Sequence, residues 1–317
     1  MKKEKRSGLF KKWWPLLMMI FLLVLLMLAP AFAPHDPLKT NLDAVLQEPN
    51  QQFPLGTDHV GRCLLSRILH GAWITVFSSL SLLTTMLVTG LILGITASYC
   101  GGIVDQIIMR ISDTVLAFPD IVFAIAVVGM LGPGLRNTLV ALSIIWWTRY
   151  ARLIRTLTAR ILSRDFIEAG IMTGANPLKI VSHYILPNLI PILTVQFVID
   201  IGSVMLLIAG LSFIGLGVQA PLPEWGNMLN EGRPYIQTSP RLLFYPGMAI
   251  FFVVMVSNIT GDLLRDKMDP GNASDLIGCN MYRKKTKRQF HTRKYIVGGG
   301  ELRNMNQLEK RKLMETD

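Results

Sequence analysis

The sequence predicts an all-α polytopic membrane protein with six transmembrane helices. Of its 317 residues, 51% are hydrophobic and only 17% are charged, whereas a typical soluble domain carries about 25% charged residues. A helix needs about 20 apolar residues to cross a bilayer, and four runs without a charged residue reach that length. These runs are Trp13–Ala33, Gly71–Val104, Ile201–Pro223 and Leu242–Gly261.

Two further spans are expected where the apolar pattern is interrupted by charge. A third span is predicted at roughly 107–131, which contains Asp113 and Asp120, and a fourth at roughly 136–154. The fifth span is predicted to begin near residue 189 and to end at about residue 216, so it includes Asp200.

The N-terminus is predicted to be cytoplasmic. Six Lys and Arg residues precede the first span, and such residues stay on the cytoplasmic side. Six spans then return the C-terminus to that side. A signal peptide is the alternative for the first run, because Ala31-Phe32-Ala33 resembles a cleavage site. Pro34 directly after it disfavours cleavage, so a retained span is predicted.

Four regions follow along the chain. Residues 1–33 form the N-terminus and first span, 34–70 an extracytoplasmic segment, 71–265 the main transmembrane domain and 266–317 a basic cytoplasmic tail. The basic residues that produce the net charge of +11 are expected mainly on the cytoplasmic side of the membrane. Membrane lipid, contacted by the basic run Met281–Tyr295, is therefore the predicted partner rather than nucleic acid. The five histidines are scattered, so no metal site is predicted.

A polar segment, Asp165–Asn188, separates the fourth and fifth spans and predicts two short helices. Asp165 is expected to cap the first, with Glu168 three residues later as in a capping box. Gly174 can adopt the left-handed conformation that ends a helix. Asn176 and Pro177 are then typical of an N-cap and first helical residue, and Pro187 is expected to close the second helix.

This segment resembles the EAA loop of importer-type (type I) ABC permeases. Glu168-Ala169, Gly174 and Leu186-Pro187 match its pattern, whereas Gly170 and Tyr184 depart from it. The resemblance implies a cytoplasmic coupling loop that docks a separate ATPase. The implied coupling residues are Glu168, Ala169, Gly170, Gly174, Ala175, Leu186 and Pro187.

Longer stretches extend the resemblance to the second permease subunit of dipeptide, oligopeptide and nickel importers. They are Pro54–Arg62, Ser66–Ala72, Gly210–Arg233 and Gly261–Pro270. The family implies a subunit in the bacterial cytoplasmic membrane that forms half of a translocation channel. Its implied partners are a homologous permease, two ABC ATPases and an extracytoplasmic solute-binding protein.

The resemblance leaves the cargo open between nickel, a metal chelate, and di- or oligopeptides. Three stretches favour the nickel branch: Asp200–Phe213, Gly232–Gly247 and Val256–Asp266. We expect a transport subunit rather than an enzyme, with no cofactor of its own. The phosphate-binding pattern G-x-x-x-x-G-K-[ST] is absent from the sequence, so ATP is left to the partner ATPase.

Three polar positions have two interpretations each. Asp200, an ionisable residue inside a span, either lines the translocation path or reaches water or a backbone partner near the cytoplasmic end. Glu224 and Trp225 either face the binding protein or pore mouth, or serve only the structure of the outer loop. Asp200 is also the feature that a self-sufficient secondary transporter or channel would use, and a membrane receptor without transport is a further alternative.

Overall fold

In the part of the chain that the structure describes, helices account for the regular structure, as the sequence predicts. The computed structural model describes the backbone of residues 2–268 and the side chains of residues 14–267, so the basic run Met281–Tyr295 lies outside the described residues. Within them, an isolated β-bridge joins Thr57 to Cys63. The helices are α1 Lys2–Leu28, α2 Leu64–Cys100, α3 Gly102–Leu116, α4 Asp120–Leu131, α5 Leu135–Leu162, α6 Asp165–Met172, α7 Pro177–Lys179, α8 Leu186–Phe213, α9 Trp225–Gly232 and α10 Arg241–Met268.

Four helical segments are long and apolar enough to cross a membrane. They are Trp14–Phe32, Leu64–Cys100, Pro177–Phe213 and Arg241–Lys267. The predicted third span is broken into α3 and α4, which are bent by 89° and count at most as a fifth span. Pro119 between them disfavours helical backbone at the preceding residue.

By length and composition alone, four or at most five helical segments of the described residues could cross a membrane, compared with the six that the sequence predicts. The missing span is α5, which has 28 residues but carries Arg149, Arg152 and Arg155 in its second half. Its contacts nevertheless show that it runs the length of the bundle. Thr138 near its start donates to Leu216 O beyond the end of α8, and Arg155 pairs with Asp105 at the start of α3.

The core forms where α2 packs between α5 and α8. Gly90 and Gly94 bring the α2 backbone close to α5, because a Cβ on Gly90 would lie 2.4 Å from Tyr150 Cβ. A Cβ on Gly94 would lie 2.7 Å from the backbone oxygen of Ala151. Small residues four apart are a common means of close helix approach in membranes.

The ends of the helices gather at two opposite ends of the bundle. At the α9 end, Trp225 Nε1 donates to Ile68 O at 3.0 Å, and Arg241 Nη2 donates to Leu46 O at 2.6 Å. At the α6 end, Lys267 Nζ lies 5.0 Å from the ring centroid of Trp14. Trp14 of α1 and the last turn of α10 therefore lie at the same end.

Candidate functional site

The candidate coupling segment is a short helix closed by a tight left-handed turn. Gly174 has φ +82°, as the sequence predicts. The amide of Gly174 donates to Ile171 O at 2.9 Å, and that of Ala175 donates to Gly170 O at 3.1 Å. This pair of bonds is a Schellman motif, which satisfies the last carbonyl groups of α6.

The start of α6 differs from the prediction. Asp165 is not the cap: the cap position belongs to Arg164, which makes no side-chain capping bond, and Asp165 is the first helical residue. Asp165 and Glu168 instead place two negative charges in the first turn, where the helix dipole favours them. The next helix begins as predicted, because Asn176 Oδ1 accepts from the amide of Lys179 at 2.8 Å and Pro177 follows the cap.

The second helix does not end at Pro187, contrary to the prediction. It continues from α7 through a π-helical turn, Ile180–Ile185, directly into α8. The amide of Leu186 donates to Val181 O, five residues back. Proline lacks an amide hydrogen and clashes with the carbonyl four residues before it, and the wider π turn relieves that conflict. The segment is therefore joined rigidly to α8 rather than separated from it.

The surface of the segment is exposed and partly apolar. Glu168 and Ala169 are exposed, whereas Gly170 is buried. Met172 is 85% exposed and Leu178 is 79% exposed, so two large apolar side chains point away from the chain on either side of Gly174. We call Ile171, Met172 and Leu178 the apolar tip. Exposed apolar patches of this kind mark contacts with another protein or with the membrane.

Two isoleucines hold the segment against the bundle. Ile167 of α6 is 2% exposed and Ile180 is 3% exposed, and both belong to the cluster of buried side chains that includes α5 and α8 residues. Each isoleucine buried in this way contributes about 1.5–3 kcal/mol. The segment is therefore anchored on one face and free on the other.

Asp200 lies in the middle of α8 and is satisfied by other side chains. Its Oδ2 accepts a hydrogen bond from the hydroxyl of Tyr150 at 2.8 Å, and its two oxygens lie 3.1 and 3.0 Å from Gln196 Nε2. Its partners are thus a residue of α5 and a neighbour on its own helix. Asp200 ties α8 to α5 at the point where Gly90 brings α2 close to Tyr150.

Glu224 and Trp225 do not face outward, so the interpretation as an exposed contact is wrong. Glu224 is fully buried and Trp225 is 1% exposed. Glu224 caps α9 by accepting from the amides of Gly226 and Asn227, both at 2.8 Å. Burial raises the pKa of Glu224 above its ordinary value, and these backbone hydrogen bonds oppose that shift. The pair holds α9, a helix that the sequence reading treated as loop, against the start of α2.

A family model matches the greater part of the helical bundle. Residues 86–273 match the family described as binding-protein-dependent transport system inner membrane component. That match covers more than half of the chain. The chain belongs to this family of importer permeases. Its membership disfavours the alternatives of a secondary transporter and of a receptor without transport.

Relatives of this permease include transporters of several cargoes. It is 40% identical to the nickel transport system permease protein NikC of Escherichia coli K12, over 80% of this chain and 92% of that protein. It is 39% identical to the di/tripeptide permease DppC of Pseudomonas aeruginosa, over 80% of this chain and 86% of that protein. The glutathione permease GsiD of Pectobacterium atrosepticum is also 39% identical, over 78% of this chain and 85% of that protein.

The fold of the permease also resembles a solved transporter structure. An inward-facing structure of the methionine ABC transporter MetNI superposes with a TM-score of 0.51 at 19% identity, covering 63% of this chain and 96% of that chain. A second crystal form gives a TM-score of 0.50.

Sequence reasoning missed a buried group of four charges at the α9 end. Arg62 Nε lies 2.6 Å from Asp58 Oδ2, and Arg67 Nη2 lies 2.6 Å from Glu231 Oε2. We call Asp58, Arg62, Arg67 and Glu231 the charge quartet. The charge quartet brings together Pro54–Arg62 and Gly210–Arg233, two of the stretches that carry the family resemblance. Nothing in the sequence indicated that these two stretches are in contact. Asp58, His59 and Glu231 bring three potential ligand atoms within 4.8 Å, but two guanidinium groups already neutralise both carboxylates.

A second missed feature is a row of ion pairs between the bent helix pair and α5. Asp120 pairs with Arg149 at 2.5 Å, Asp113 with Arg152 at 2.6 Å, and Asp105 with Arg155. A signal was available in the sequence, since three arginines at intervals of three residues share one helix face. Opposite charges in the neighbouring predicted span were their natural partners.

Proposed function

We propose that this permease forms half of the translocation channel of an ATP-driven importer and docks a separate ATPase through the segment from α6 to α7. The observation that carries the proposal is the apolar tip displayed by the Gly174 turn on a helix that Ile167 anchors to the bundle. A protruding helix of this kind fits a cleft in a partner protein. Glu168, Ala169, Gly170 and Ala175 are the remaining docking residues of α6 and its turn.

The continuous helix from α7 into α8 supports a mechanical coupling. A displacement of the apolar tip by the ATPase is carried through the π turn and past Leu186 and Pro187 into α8. Asp200 on α8 would pass it to Tyr150 on α5. π turns inside helices often mark functional sites. ATP binding and hydrolysis belong to the partner, and this chain supplies the lever.

The same proposal sets the orientation and the assembly. The α6 end is cytoplasmic because the ATPase binds there, and both ends of the described chain, near Trp14 and Lys267, lie at that end. The α9 end then faces the outside and a solute-binding protein. A homologous permease, two ATPases and the surrounding lipid of the bacterial cytoplasmic membrane complete the set of partners.

The proposed cargo is nickel, as an ion or a chelate, or di- or oligopeptides. The relatives named above transport nickel, dipeptides, tripeptides and glutathione, and sequence identity does not separate them, since NikC is 40% identical and DppC 39% identical. The common function is import through a binding-protein-dependent system.

The decisive experiment compares Gly174→Asp with Gly132→Asp in cells that lack the wild-type chain. Gly174 (φ +82°) and Gly132 (φ +90°) both lie at positive φ, and a Cβ at either meets no atom closer than 4.0 Å. Gly132 has ψ 158°, a conformation that side chains tolerate less well than the left-handed turn at Gly174, so its substitution is the more strained of the two. It lies in the turn between α4 and α5, far from the docking segment. We expect Gly174→Asp alone to abolish uptake of dipeptide and nickel and the co-purification of the ATPase.

Either of two results would contradict the proposal. Full uptake with Gly174→Asp would show that the turn does not dock an ATPase. Uptake by the purified chain in vesicles without any ATPase would instead support the self-sufficient secondary transporter.

A further inference from the structure

A polar cavity lies between α3 and α5 at the α6 end of the bundle. It has a volume of about 390 Å³, within the range of small-molecule sites. The side chains that matter for its chemistry come from two helices. They are Asp105, Gln106, Arg110 and Asp113 on α3, and Arg152 and Arg155 on α5.

The charges around this cavity do not cancel. Asp113 pairs with Arg152 at 2.6 Å and Asp105 pairs with Arg155. Arg110 takes part in no ion pair with the residues that the structure describes, and its side chain is exposed in the cavity wall. Three arginines against two aspartates leave one net positive charge. The cavity therefore attracts an anionic group and repels a bare cation.

The exposed surface of α3 shows which side of the helix meets water. Gln106, Arg110 and Asp113 form a polar strip that faces the cavity, while Ile103 and Ile107 form an apolar strip beside it. Charged side chains within membrane segments face protein interior or a water-filled cavity rather than lipid. The polar strip thus belongs to an aqueous space beside α5.

We propose that this cavity binds a carboxylate group of the cargo and that Arg110 donates the hydrogen bonds to it. The cavity lies on the side where the cargo leaves the channel. This inference rests on the importer function proposed above and narrows its substrate. A guanidinium group binds a carboxylate through two parallel hydrogen bonds, and the paired Arg152 and Arg155 give the site its shape. A peptide with a free C-terminus, or nickel held by a carboxylate chelator, fits this chemistry, and hydrated Ni²⁺ alone does not.

Protection of an engineered cysteine tests the site in the purified importer complex. Gln106→Cys is introduced after Cys100 and Cys279 are replaced by serine, with the buried Cys63 retained. The rate at which this cysteine reacts with uncharged methyl methanethiosulfonate is measured without any added compound. The measurement is repeated with alanyl-alanine, with the C-terminal amide of alanyl-alanine, with Ni²⁺–citrate and with NiCl₂. Ser143→Cys, which is half-buried on α5 and lines a different pocket, is the control for effects outside this cavity. Arg110→Gln is added as a second change in the Gln106→Cys protein.

We expect alanyl-alanine, Ni²⁺–citrate or both to slow labelling of Gln106→Cys severalfold, and the compound that protects identifies the cargo class. The amide and NiCl₂ should leave the rate unchanged, Arg110→Gln should remove the protection, and Ser143→Cys should show none. Equal protection by the amide, protection by NiCl₂ alone, or no protection at all would overturn the inference. Labelling does not depend on ATPase docking. A complex that imports cargo without protecting Gln106→Cys therefore overturns this site and leaves the importer function standing.

Discussion

Gly170 leaves the space that the ring of Tyr184 occupies. A Cβ on Gly170 would lie 3.4 Å from Tyr184 Cζ and 3.5 Å from its hydroxyl oxygen. The same ring stacks on Phe166 with a centroid distance of 6.3 Å. These are the two positions at which the coupling segment departs from its family pattern, so a smaller residue on α6 accompanies a larger one on the following helix.

This relationship predicts how side-chain size at position 170 affects coupling. Gly170→Ala should be tolerated, because 3.4 Å is ordinary contact and Ala favours a helix by about 1 kcal/mol over Gly. Gly170→Leu should displace Tyr184 and reduce both uptake and ATPase co-purification. Gly170→Leu combined with Tyr184→Ile should recover part of the uptake. An unimpaired Gly170→Leu protein would show that this contact does not set the position of α6.

The approach of α2 to α5 predicts a strong effect of one methyl group. Gly90→Ala should destabilise the bundle by about 1–3 kcal/mol, since its Cβ would lie 2.4 Å from Tyr150 Cβ. Gly129→Ala on α4 is the matched control, because no atom lies within 4 Å of a Cβ there. Thermal unfolding of the purified protein in detergent measures both. Equal midpoints for the two variants would contradict the close packing at Gly90.

The charge quartet predicts a larger stability effect than the row of exposed ion pairs. Glu231→Gln leaves two buried guanidinium groups, Arg62 and Arg67, against the single carboxylate of Asp58, and should cost about 3 kcal/mol. Asp113→Asn breaks a pair whose side chains are 57% and 45% exposed, and should cost less than about 1 kcal/mol. Unfolding midpoints in detergent compare them. A greater loss with Asp113→Asn would reverse this ranking.

Asp200 is predicted to affect transport rather than assembly. Asp200→Asn removes the charge but keeps an oxygen that can accept from Tyr150, so the complex should assemble and uptake should fall severalfold. Tyr150→Phe is the companion variant, which removes the hydrogen bond and keeps the charge. It should cost about 1 kcal/mol of stability and spare more of the uptake. An Asp200→Ala protein that assembles and transports normally would exclude Asp200 from the translocation path.

Features that depend on neighbouring residues could be predicted from the sequence. The apolar runs predict the long helices, Gly174 predicts the left-handed turn, and Asn176 predicts a helix cap. Each of these signals acts within a few positions of the chain. The local errors arose where two signals compete. Arg164 rather than Asp165 holds the cap position, and Pro187 continues a helix because a π turn accommodates it.

The amino-acid sequence alone is enough to identify a helical membrane protein of the importer-permease family. Which distant residues meet depends on the tertiary structure. Arg67 and Glu231 are 164 positions apart, and Tyr150 meets Asp200 only because α5 packs on α8. Such pairs depend on how the helices pack, and helix packing depends on many weak contacts that no short stretch of sequence contains. The same packing buries Glu224 and leaves Arg110 without an ion-pair partner among the residues that the structure describes.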